Sequence, residues 1–194
     1  MRAYHETYGL PVLLTNCSNN YGPYQYPEKL IPLLVLNALD GRPLPLYGDG
    51  LNVRDWLHVE DHCDAVWEVL ERGTPGGKYN IGSRNERTNR EVVEILCSAL
   101  DEVRPPDREP VLVARGVKSH RDLVERVPDR PGHDRRYAID PSRIERELGW
   151  KPKREFRQGL RETVLWYRDH REWAAKVLEG KYGRERLGAG GGPS

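Results

Sequence analysis

The sequence has 194 residues, of which 37% are hydrophobic and 31% charged, and its formal net charge is +1. This balance gives no electrostatic case for binding nucleic acid or a membrane surface, and no apolar run approaches the length of a membrane span. The chain is long enough for one sizeable domain with its own core. Three widely spaced cysteines fit neither a zinc site nor a disulfide framework, so we expect free thiols in a reducing, cytoplasmic setting.

The first residues predict the end of one element and the start of another. Residues 1–9 are typical of the tail of an amphipathic helix that ends at Gly9, a usual helix C-terminal residue. The apolar run Val12–Leu14 predicts a buried strand of a parallel sheet. A helix followed by such a strand implies a βαβ unit whose first part is not in the sequence.

The next stretch predicts two helices with two strands between them. Glu28–Asp40 has apolar residues at helical spacing, and Pro32 must lie in its first turn, where a missing N–H is tolerated. Leu44–Tyr47 and Val53–Val59 are predicted strands on either side of a Gly48–Gly50 turn. A helix follows at Asp61–Arg72, for which we expect Asp61 to act as the N-cap.

The middle of the chain begins with a clear pattern and then loses it. Lys78–Gly82 predicts a short strand, and Thr88–Glu91 is a capping-box pattern that starts a helix running to Leu100. Prolines between 105 and 110 break that helix. We expect a strand at Val111–Val113 and then a charged, mobile loop up to Val127.

The last part predicts a turn, a short strand and two helices. Asp129–Asp134 is a turn, Tyr137–Ile139 a strand, and Asp140-Pro141 the start of a helix that ends before Gly149. Phe156–Glu179 is predicted as the longest helix, with one apolar face. The glycine-rich tail at 188–194 has nothing to bury, and we expect it to be disordered.

One stretch, Thr15–Asp61, is typical of a ligand-binding wall, because amides, aromatic rings, tight turns and one arginine lie between apolar runs. Its blocks, together with one near residue 130 and two near residues 140 and 150, resemble the dTDP-glucose 4,6-dehydratases of the extended short-chain dehydrogenase/reductases. The blocks are Asn16–Tyr24, Pro27–Pro32, Leu46–Gly50, Val53–Trp56, Val59–His62, Asp129–Asp134, Tyr137–Asp140 and Glu147–Trp150. Their order and spacing cover about residues 2 to 188.

The resemblance implies an α/β fold: an incomplete Rossmann-type parallel sheet, represented by its last strands only, with a small α/β substrate-binding domain. Residues 1–21 would be a remnant of the NAD-binding domain. Residues 22–187 would mainly form the domain that binds the nucleotide sugar, with 57–72 returning to the Rossmann side. Family members are usually homodimers, but the oligomeric state is not carried over to this chain.

The family reaction is the NAD-dependent conversion of dTDP-glucose to dTDP-4-keto-6-deoxyglucose, which makes its members lyases. Members carry a glycine-rich dinucleotide turn and a Tyr-x-x-x-Lys pair, and the 194 residues contain neither. We therefore assign no catalytic residue, and we expect this chain alone to be inactive and to bind NAD poorly. The resemblance covers the C-terminal portion of the family.

The resemblance also implies binding roles, residue by residue. Asn19 would contact the sugar or its phosphate, and Asn20 the nicotinamide side of NAD. Arg54 would clamp the pyrophosphate, a role suited to a planar, permanently charged group. The remaining nucleotide contacts would come from Lys29, Leu30, Pro45, Leu46, Tyr47 and Asn89, and from the turn residues Asp129, Arg130, Pro131, Gly132 and His133, with Arg130 a second phosphate ligand.

Several of these residues also have purely structural interpretations. Asn19 and Asn20 could be turn residues, since asparagine is a turn former. Arg54 could pair with Asp55, Asn89 could only help to start its helix, and Tyr47 and Trp56 could be core aromatics. A metal site at His58 and His62 is disfavoured, because His58 falls on a strand and no further ligand cluster follows.

The sequence leaves three functional hypotheses. The first is a truncated dehydratase-like chain. The second is a non-catalytic nucleotide-sugar binding module, and the third another NAD-dependent nucleotide-sugar epimerase or decarboxylase. A mere fragment, from a gene start placed at an internal methionine or from a degraded gene, would also explain the helix remnant at residues 2–8.

Overall fold

The computed structural model describes residues 1–179, so the tail expected to be disordered at 188–194 lies outside the described residues. The α-helices are α1 (Arg2–Tyr8), α2 (Leu30–Leu39), α3 (Val59–Arg72), α4 (Asn89–Val103), α5 (Pro110–Ala114), α6 (Ser142–Leu148), α7 (Phe156–Asp169) and α8 (Arg171–Leu178). The strands are β1 (Leu14–Cys17), β2 (Asn19–Tyr21), β3 (Leu44–Tyr47), β4 (Val53–His58), β5 (Lys78–Ile81), β6 (Glu86–Thr88), β7 (Val124–Val127) and β8 (Arg136–Tyr137). Short 3-10 helices lie at Pro106–Arg108 and His120–Leu123. None of the helices in this part of the chain is long and apolar enough to cross a membrane.

The chain forms two compact units, each assembled from separate segments. The first unit contains residues 1–21, 53–87 and 136–156. The second contains residues 22–52, 88–135 and the described residues from 157 onward.

The first unit is an α/β structure whose strand pairs β1–β5, β2–β4 and β4–β8 are parallel. β4 lies between β2 and β6. The helices α3 and α6 pack beside these strands. Their apolar faces meet in one core formed by Leu57, Ala65, Val69, Tyr79, Ile81, Ile144, Leu148 and Trp150. Parallel strands covered by helices confirm the predicted α/β class.

The second unit is centred on α2, which packs against β3 and α4. Its sequence, Leu-Ile-Pro-Leu-Leu-Val-Leu-Asn-Ala-Leu, is apolar on every side, and nearly all of its residues are buried. Pro32 lies in the first turn of this helix, as predicted. The parallel pair β3–β7 completes the framework of this unit.

The predicted helix ends are confirmed where they depend on local chemistry. Gly9 and Gly149 follow α1 and α6 in the left-handed conformation, with φ of 66° and 70°. Thr88 caps α4, and the reciprocal hydrogen bonds of a capping box with Glu91 are both present.

The cap of α3 was predicted wrongly. Its N-cap is His58, whose ring accepts the N–H of Glu60, and the helix therefore begins at Val59. Asp61 lies inside the first turn and is 1% exposed. Its Oδ2 accepts the backbone N–H groups of Lys153 and Arg154, so the carboxylate ties α3 to a distant segment of the chain.

The first strand differs from the predicted buried run Val12–Leu14. The strand is Leu14–Cys17, its exposed and half-buried residues alternate, and Leu14 is 41% exposed. The strand pairs along its whole length with β5. Its position follows from this long-range pairing and not from the apolar run that precedes it.

The stretch between 111 and 127 was also predicted wrongly. Val111–Val113 lies in the helix α5, where Pro110 occupies a first-turn position and only Leu112 is buried. The expected mobile loop contains a capped 3-10 helix and the strand β7. β7 pairs with β3, which is distant in sequence, so the local pattern gave no signal for it.

The longest predicted helix, Phe156–Glu179, is two helices separated at His170. The His170 ring stacks on Trp166 with centroids 4.4 Å apart, and its Nδ1 lies 2.9 Å from the Trp166 carbonyl oxygen. The apolar pattern runs across this break and therefore conceals it.

Candidate functional site

One face of the β2–β4 pair in the first unit gathers polar and aromatic side chains. Asn19 is the register partner of Trp56, and Tyr21 that of His58. Because side chains alternate along a strand, Arg54, Trp56 and His58 point to one face of β4, the same face as Asn19 and Tyr21. This set, Asn19, Tyr21, Arg54, Trp56 and His58, is called the polar sheet face below.

Arg54 lies half-buried near the start of β4 on the polar sheet face. One of its guanidinium nitrogens donates a hydrogen bond of 2.7 Å to the Val53 carbonyl. The neighbouring Asp55 points to the opposite face of β4, toward the loop at 83–85.

Asp55 fixes the loop that borders β4. It is 1% exposed, and its carboxylate accepts hydrogen bonds from the backbone N–H and hydroxyl of Ser83 and from the N–H of Asn85. The Ser83 hydroxyl also lies 2.7 Å from the carbonyl of Trp56, and the Trp56 N–H donates to the Asn85 carbonyl. Both backbone polar groups of Trp56 are thus hydrogen-bonded to the loop at 83–85.

Asn19 and Asn20 lie in a strand, so the interpretation of both as turn residues was wrong. As neighbours in a strand they point to opposite faces. The Asn20 amide donates to the sulfur of Cys17 at 3.3 Å on its own face. Two adjacent amides can therefore serve two different ligands, one on each side of β2.

Aromatic rings pack around the far end of the polar sheet face. The Tyr21 ring contacts those of Trp56, His58 and Phe156 at centroid distances of 6.5, 5.3 and 5.1 Å. All four residues are at most 4% exposed. The guanidinium of Arg87 lies 5.0 Å from the Phe156 ring centre. These rings give the polar residues beside them a rigid, dry setting.

His58 and His62 do not form a metal centre in the described chain. His58 caps a helix, and burial lowers the pKa of His62. Within residues 1–179 no cluster of three or more histidine, cysteine, aspartate or glutamate side chains could hold a metal ion.

The strand β3 displays part of the second unit's predicted site. Burial alternates along it, so Leu44 and Leu46 point inward while Pro45 and Tyr47 are half-buried. Leu46 is 5% exposed and lies against Gly50, which leaves mainly its backbone for a ligand. Tyr47 instead presents its ring to the guanidinium of Arg130, 5.7 Å away.

The turn at 129–133 is organised by Asp129. The Asp129 carboxylate accepts the N–H of Arg130 and lies 2.7 Å from Nδ1 of His133. The hydrogen bond from His133, helped by that from Arg130, keeps the pKa of Asp129 below its usual value even though burial opposes it. Pro131 and Gly132 form the exposed tip, and Gly132 has a φ of 67°. The structure thus brings Tyr47, Asp129, Arg130 and His133 together.

The other predicted residues of the second unit lie at helix starts. Lys29 is the N-cap residue of α2, and its ammonium group contacts Glu28 at 2.7 Å. Leu30 is the first residue of that helix and is half-buried. Asn89 is the first residue of α4, is 7% exposed, and donates its N–H to the Asn52 carbonyl.

Cys97 is the most buried of the three free cysteines and is not suited to nucleophilic chemistry. Burial, assisted by the nearby Asp101, raises the pKa of its thiol to about 12. Since the thiolate is the nucleophile, this side chain is inert near neutral pH. Cys97 therefore does not contribute a reactive thiol.

Two features of the site were missed in the sequence. Trp56 was considered only as a core aromatic, although alternation along Arg54, Trp56 and His58 places it beside Asn19. The contact between Gly48 and Asp129 had no sequence signal. It joins residues 81 positions apart, and a Cβ on Gly48 would lie 2.9 Å from Asp129 Oδ2.

Comparison with known proteins gives consistent results. The family model described as GDP-mannose 4,6 dehydratase matches residues 1–163. A dTDP-glucose 4,6-dehydratase of Neisseria meningitidis is 55% identical over 190 residues, which cover 98% of this chain and 52% of the relative.

Solved structures show the same relationship. The dTDP-glucose 4,6-dehydratase of Bacillus anthracis, in complex with NAD, is 53% identical with a TM-score of 0.76, over 91% of this chain and 50% of that one. DesIV of Streptomyces venezuelae, a dTDP-glucose 4,6-dehydratase with NAD bound, is 50% identical with a TM-score of 0.77, over 91% of this chain and 49% of that one. The chain thus spans about half the length of the relatives that it matches.

Proposed function

The chain belongs to the GDP-mannose 4,6 dehydratase family, and from this premise we propose that it supplies the nucleotide-sugar binding part of a dTDP-glucose 4,6-dehydratase. The supporting observation is the polar sheet face, where Arg54 and Asn19 lie on one side of two paired strands. The complete reaction would be the NAD-dependent conversion of dTDP-glucose to dTDP-4-keto-6-deoxyglucose, which the resemblance implies.

In the first unit, Arg54 is the diphosphate ligand of this proposal. A guanidinium presents donors in a planar fork that matches phosphate oxygens, and it stays charged at any physiological pH. The backbone that carries this side chain lies in a strand paired on both sides, so it is positioned before a ligand arrives. Asn19, beside it on the same face, is the partner for the sugar or its phosphate.

In the second unit, Tyr47 and the turn at 129–133 are the proposed nucleotide contacts. The Tyr47 ring offers a flat surface for a base, and Arg130 is a second cation for phosphate. Lys29, Leu30, Pro45, Leu46 and Asn89 complete this set in the proposal, with Leu46 acting through its backbone because its side chain is buried.

NAD is the cofactor of the proposed reaction, but the residues present do not form a site for it. Asn20 is the single candidate contact, on the face of β2 opposite to Asn19. The 194 residues contain no glycine-rich strand-to-helix turn to hold the dinucleotide phosphates. They also contain no Tyr-x-x-x-Lys pair to remove and return protons. This chain alone therefore binds nucleotide sugar without turning it over.

The cysteines support a reducing location for this activity. Cys17, Cys63 and Cys97 are unpaired, as in proteins of the cytoplasm. A cytoplasmic setting is thus part of the proposal.

Calorimetric titration of the full chain with dTDP-glucose tests the proposal. The chain should bind, and Arg54→Ala should weaken binding about tenfold or more, because a charge-assisted hydrogen bond contributes roughly 1.5–3 kcal/mol. Arg72→Ala is the matched control: it removes one surface arginine, paired with Glu68 on α3, and should leave the affinity unchanged.

Two results would contradict the proposal. The first is no measurable binding of dTDP-glucose by the folded chain. The second is formation of a keto sugar from dTDP-glucose and NAD by the purified chain alone, which would refute the predicted lack of turnover.

A further inference from the structure

Trp56 has a buried polar atom that the proposed function leaves without a role. The residue is 4% exposed, and its indole Nε1 has no hydrogen-bond partner within residues 1–179. An unpartnered buried donor costs free energy comparable to a lost hydrogen bond, so it needs an explanation, and a bound ligand supplies one.

The position of Trp56 on the polar sheet face indicates what this donor would meet. Trp56 is the register partner of Asn19 and lies two residues beyond Arg54 on the same face of β4. Two residues along a strand correspond to about 6.6 Å. A ligand whose diphosphate lies at Arg54 and which extends along β4 therefore places the group attached to that diphosphate at the level of Asn19 and Trp56.

The backbone of Trp56 is fixed before any ligand arrives. Its N–H and carbonyl are both hydrogen-bonded to the loop at 83–85, and that loop is in turn held by the Asp55 carboxylate. The ring is also restrained by its edge contact with Tyr21. A donor held in this way loses little entropy when it binds an acceptor.

From these observations we infer that the indole N–H of Trp56 donates a hydrogen bond to an oxygen of the hexose in a nucleoside diphosphate hexose. This inference rests on the proposed function and assigns it a second sugar-binding residue, next to Asn19. Arg54 then determines the affinity for the diphosphate, while Trp56 distinguishes the nucleotide sugar from the bare nucleotide.

The experiment compares dTDP-glucose with dTDP, using the full chain and the variant Trp56→Phe. This substitution keeps an aromatic ring and removes the N–H. The variant should lose about three- to tenfold in affinity for dTDP-glucose, the usual effect of one neutral hydrogen bond. Its affinity for dTDP should equal that of the unchanged chain.

Trp150→Phe is the matched control. Trp150 is also buried, at 6% exposure, but it lies in the apolar core of the first unit and not on the polar sheet face. This variant should bind both ligands as the unchanged chain does.

A second measurement does not depend on how well Trp56→Phe folds. The chain has five tryptophans, and their indole N–H signals can be followed by NMR in the unchanged chain. The Trp56 signal is assigned by elimination, as the one that remains when each of the other tryptophans is replaced in turn. The Trp56 signal should shift on addition of dTDP-glucose and stay in place on addition of dTDP.

The outcomes separate this inference from the proposed function. Equal affinity of Trp56→Phe and the unchanged chain for dTDP-glucose, or equal losses for dTDP-glucose and dTDP, would overturn the role of Trp56 and leave the proposed function standing. A Trp56 signal that is unaffected by bound dTDP-glucose would do the same. Failure of the unchanged chain to bind either nucleotide would overturn both.

Discussion

The two groups of predicted ligand-binding residues are built in different ways. On the polar sheet face of the first unit, side chains project from paired strands, and the Trp56 donor has no partner in the described chain. Around Tyr47 in the second unit, the charged groups satisfy one another, because Asp129 binds His133 and the N–H of Arg130. The Trp56 donor of the first group needs no internal hydrogen bond to be broken before it binds a ligand, whereas Asp129 and His133 of the second group would exchange internal contacts for ligand contacts.

This difference suggests a division of roles. A donor on a fixed backbone that has no internal partner favours specific recognition, because it gives up no hydrogen bond on binding. The turn is held by hydrogen bonds within itself and its tip, Pro131 and Gly132, is exposed, so we expect it to adjust more readily. We therefore expect the sheet face to respond sharply to mutation and the turn to respond weakly.

The largest effect should come from Asp55→Ala, which removes the group that holds the loop beside the polar sheet face. The carboxylate is buried and accepts hydrogen bonds from Ser83 and Asn85, so its loss leaves buried donors unpaired. We expect the free energy of unfolding to fall by about 3 kcal/mol. Urea denaturation followed by circular dichroism measures this change.

The matched control for this substitution is Asp129→Ala in the second unit, where the carboxylate side chain is 40% exposed. It should change the unfolding free energy much less. Equal losses for the two variants would show that the sheet face is no more rigid than the turn.

A smaller effect is expected for Gly48→Ala, beside the turn. Gly48 has a φ of 58°, which disfavours a side chain, and the added Cβ would lie 2.9 Å from Asp129 Oδ2. We expect a loss of about 1–2 kcal/mol in unfolding free energy, from backbone strain and displacement of Asp129. Gly132→Ala has the same backbone penalty, with φ of 67°, but no atom within 4 Å of the new Cβ.

The comparison of these two glycine variants isolates the contact with Asp129. Thermal unfolding should show Gly48→Ala to be the less stable of the two. Identical melting temperatures would mean that Asp129 moves aside at no cost and is not anchored against Gly48.

The smallest effect concerns the titration of Asp129, which NMR of its carboxyl carbon can follow. His133 is the main cause of the lowered pKa, so His133→Ala should move the pKa of Asp129 up toward its ordinary value of about 3.9. Because the pKa of Asp129 is lower in the folded than in the unfolded chain, its ionisation contributes to folding stability. This contribution is present above the unfolded pKa and is lost as the pH falls through the folded pKa. An unchanged Asp129 pKa in this variant would show that the contact with His133 does not order the turn.

The family and the α/β class could be recognised from the sequence, because ordered blocks such as Asn16–Tyr24 and Val53–Trp56 keep their spacing. The local signals were equally informative: Thr88 with Glu91, Gly9 and Gly149 each satisfy helix ends through contacts a few residues away. The predicted binding residues remain predictions, but their placement on shared faces could be deduced only after the strand register was known.

What the sequence determined by itself is therefore the chemistry that acts over short distances: caps, turns, apolar helix faces and the family blocks. The tertiary structure decided the rest. β7 became a strand because it pairs with β3, the strand at 14–17 took its position from β5, and His58 rather than Asp61 became the cap of α3. Trp56 likewise came to lie beside Asn19 through the parallel register of β2 and β4. The physical reason is contact between residues far apart in the chain: strand pairing places β1, β7 and Trp56, and the backbone N–H groups at 153–154 engage Asp61. No local pattern encodes such contacts.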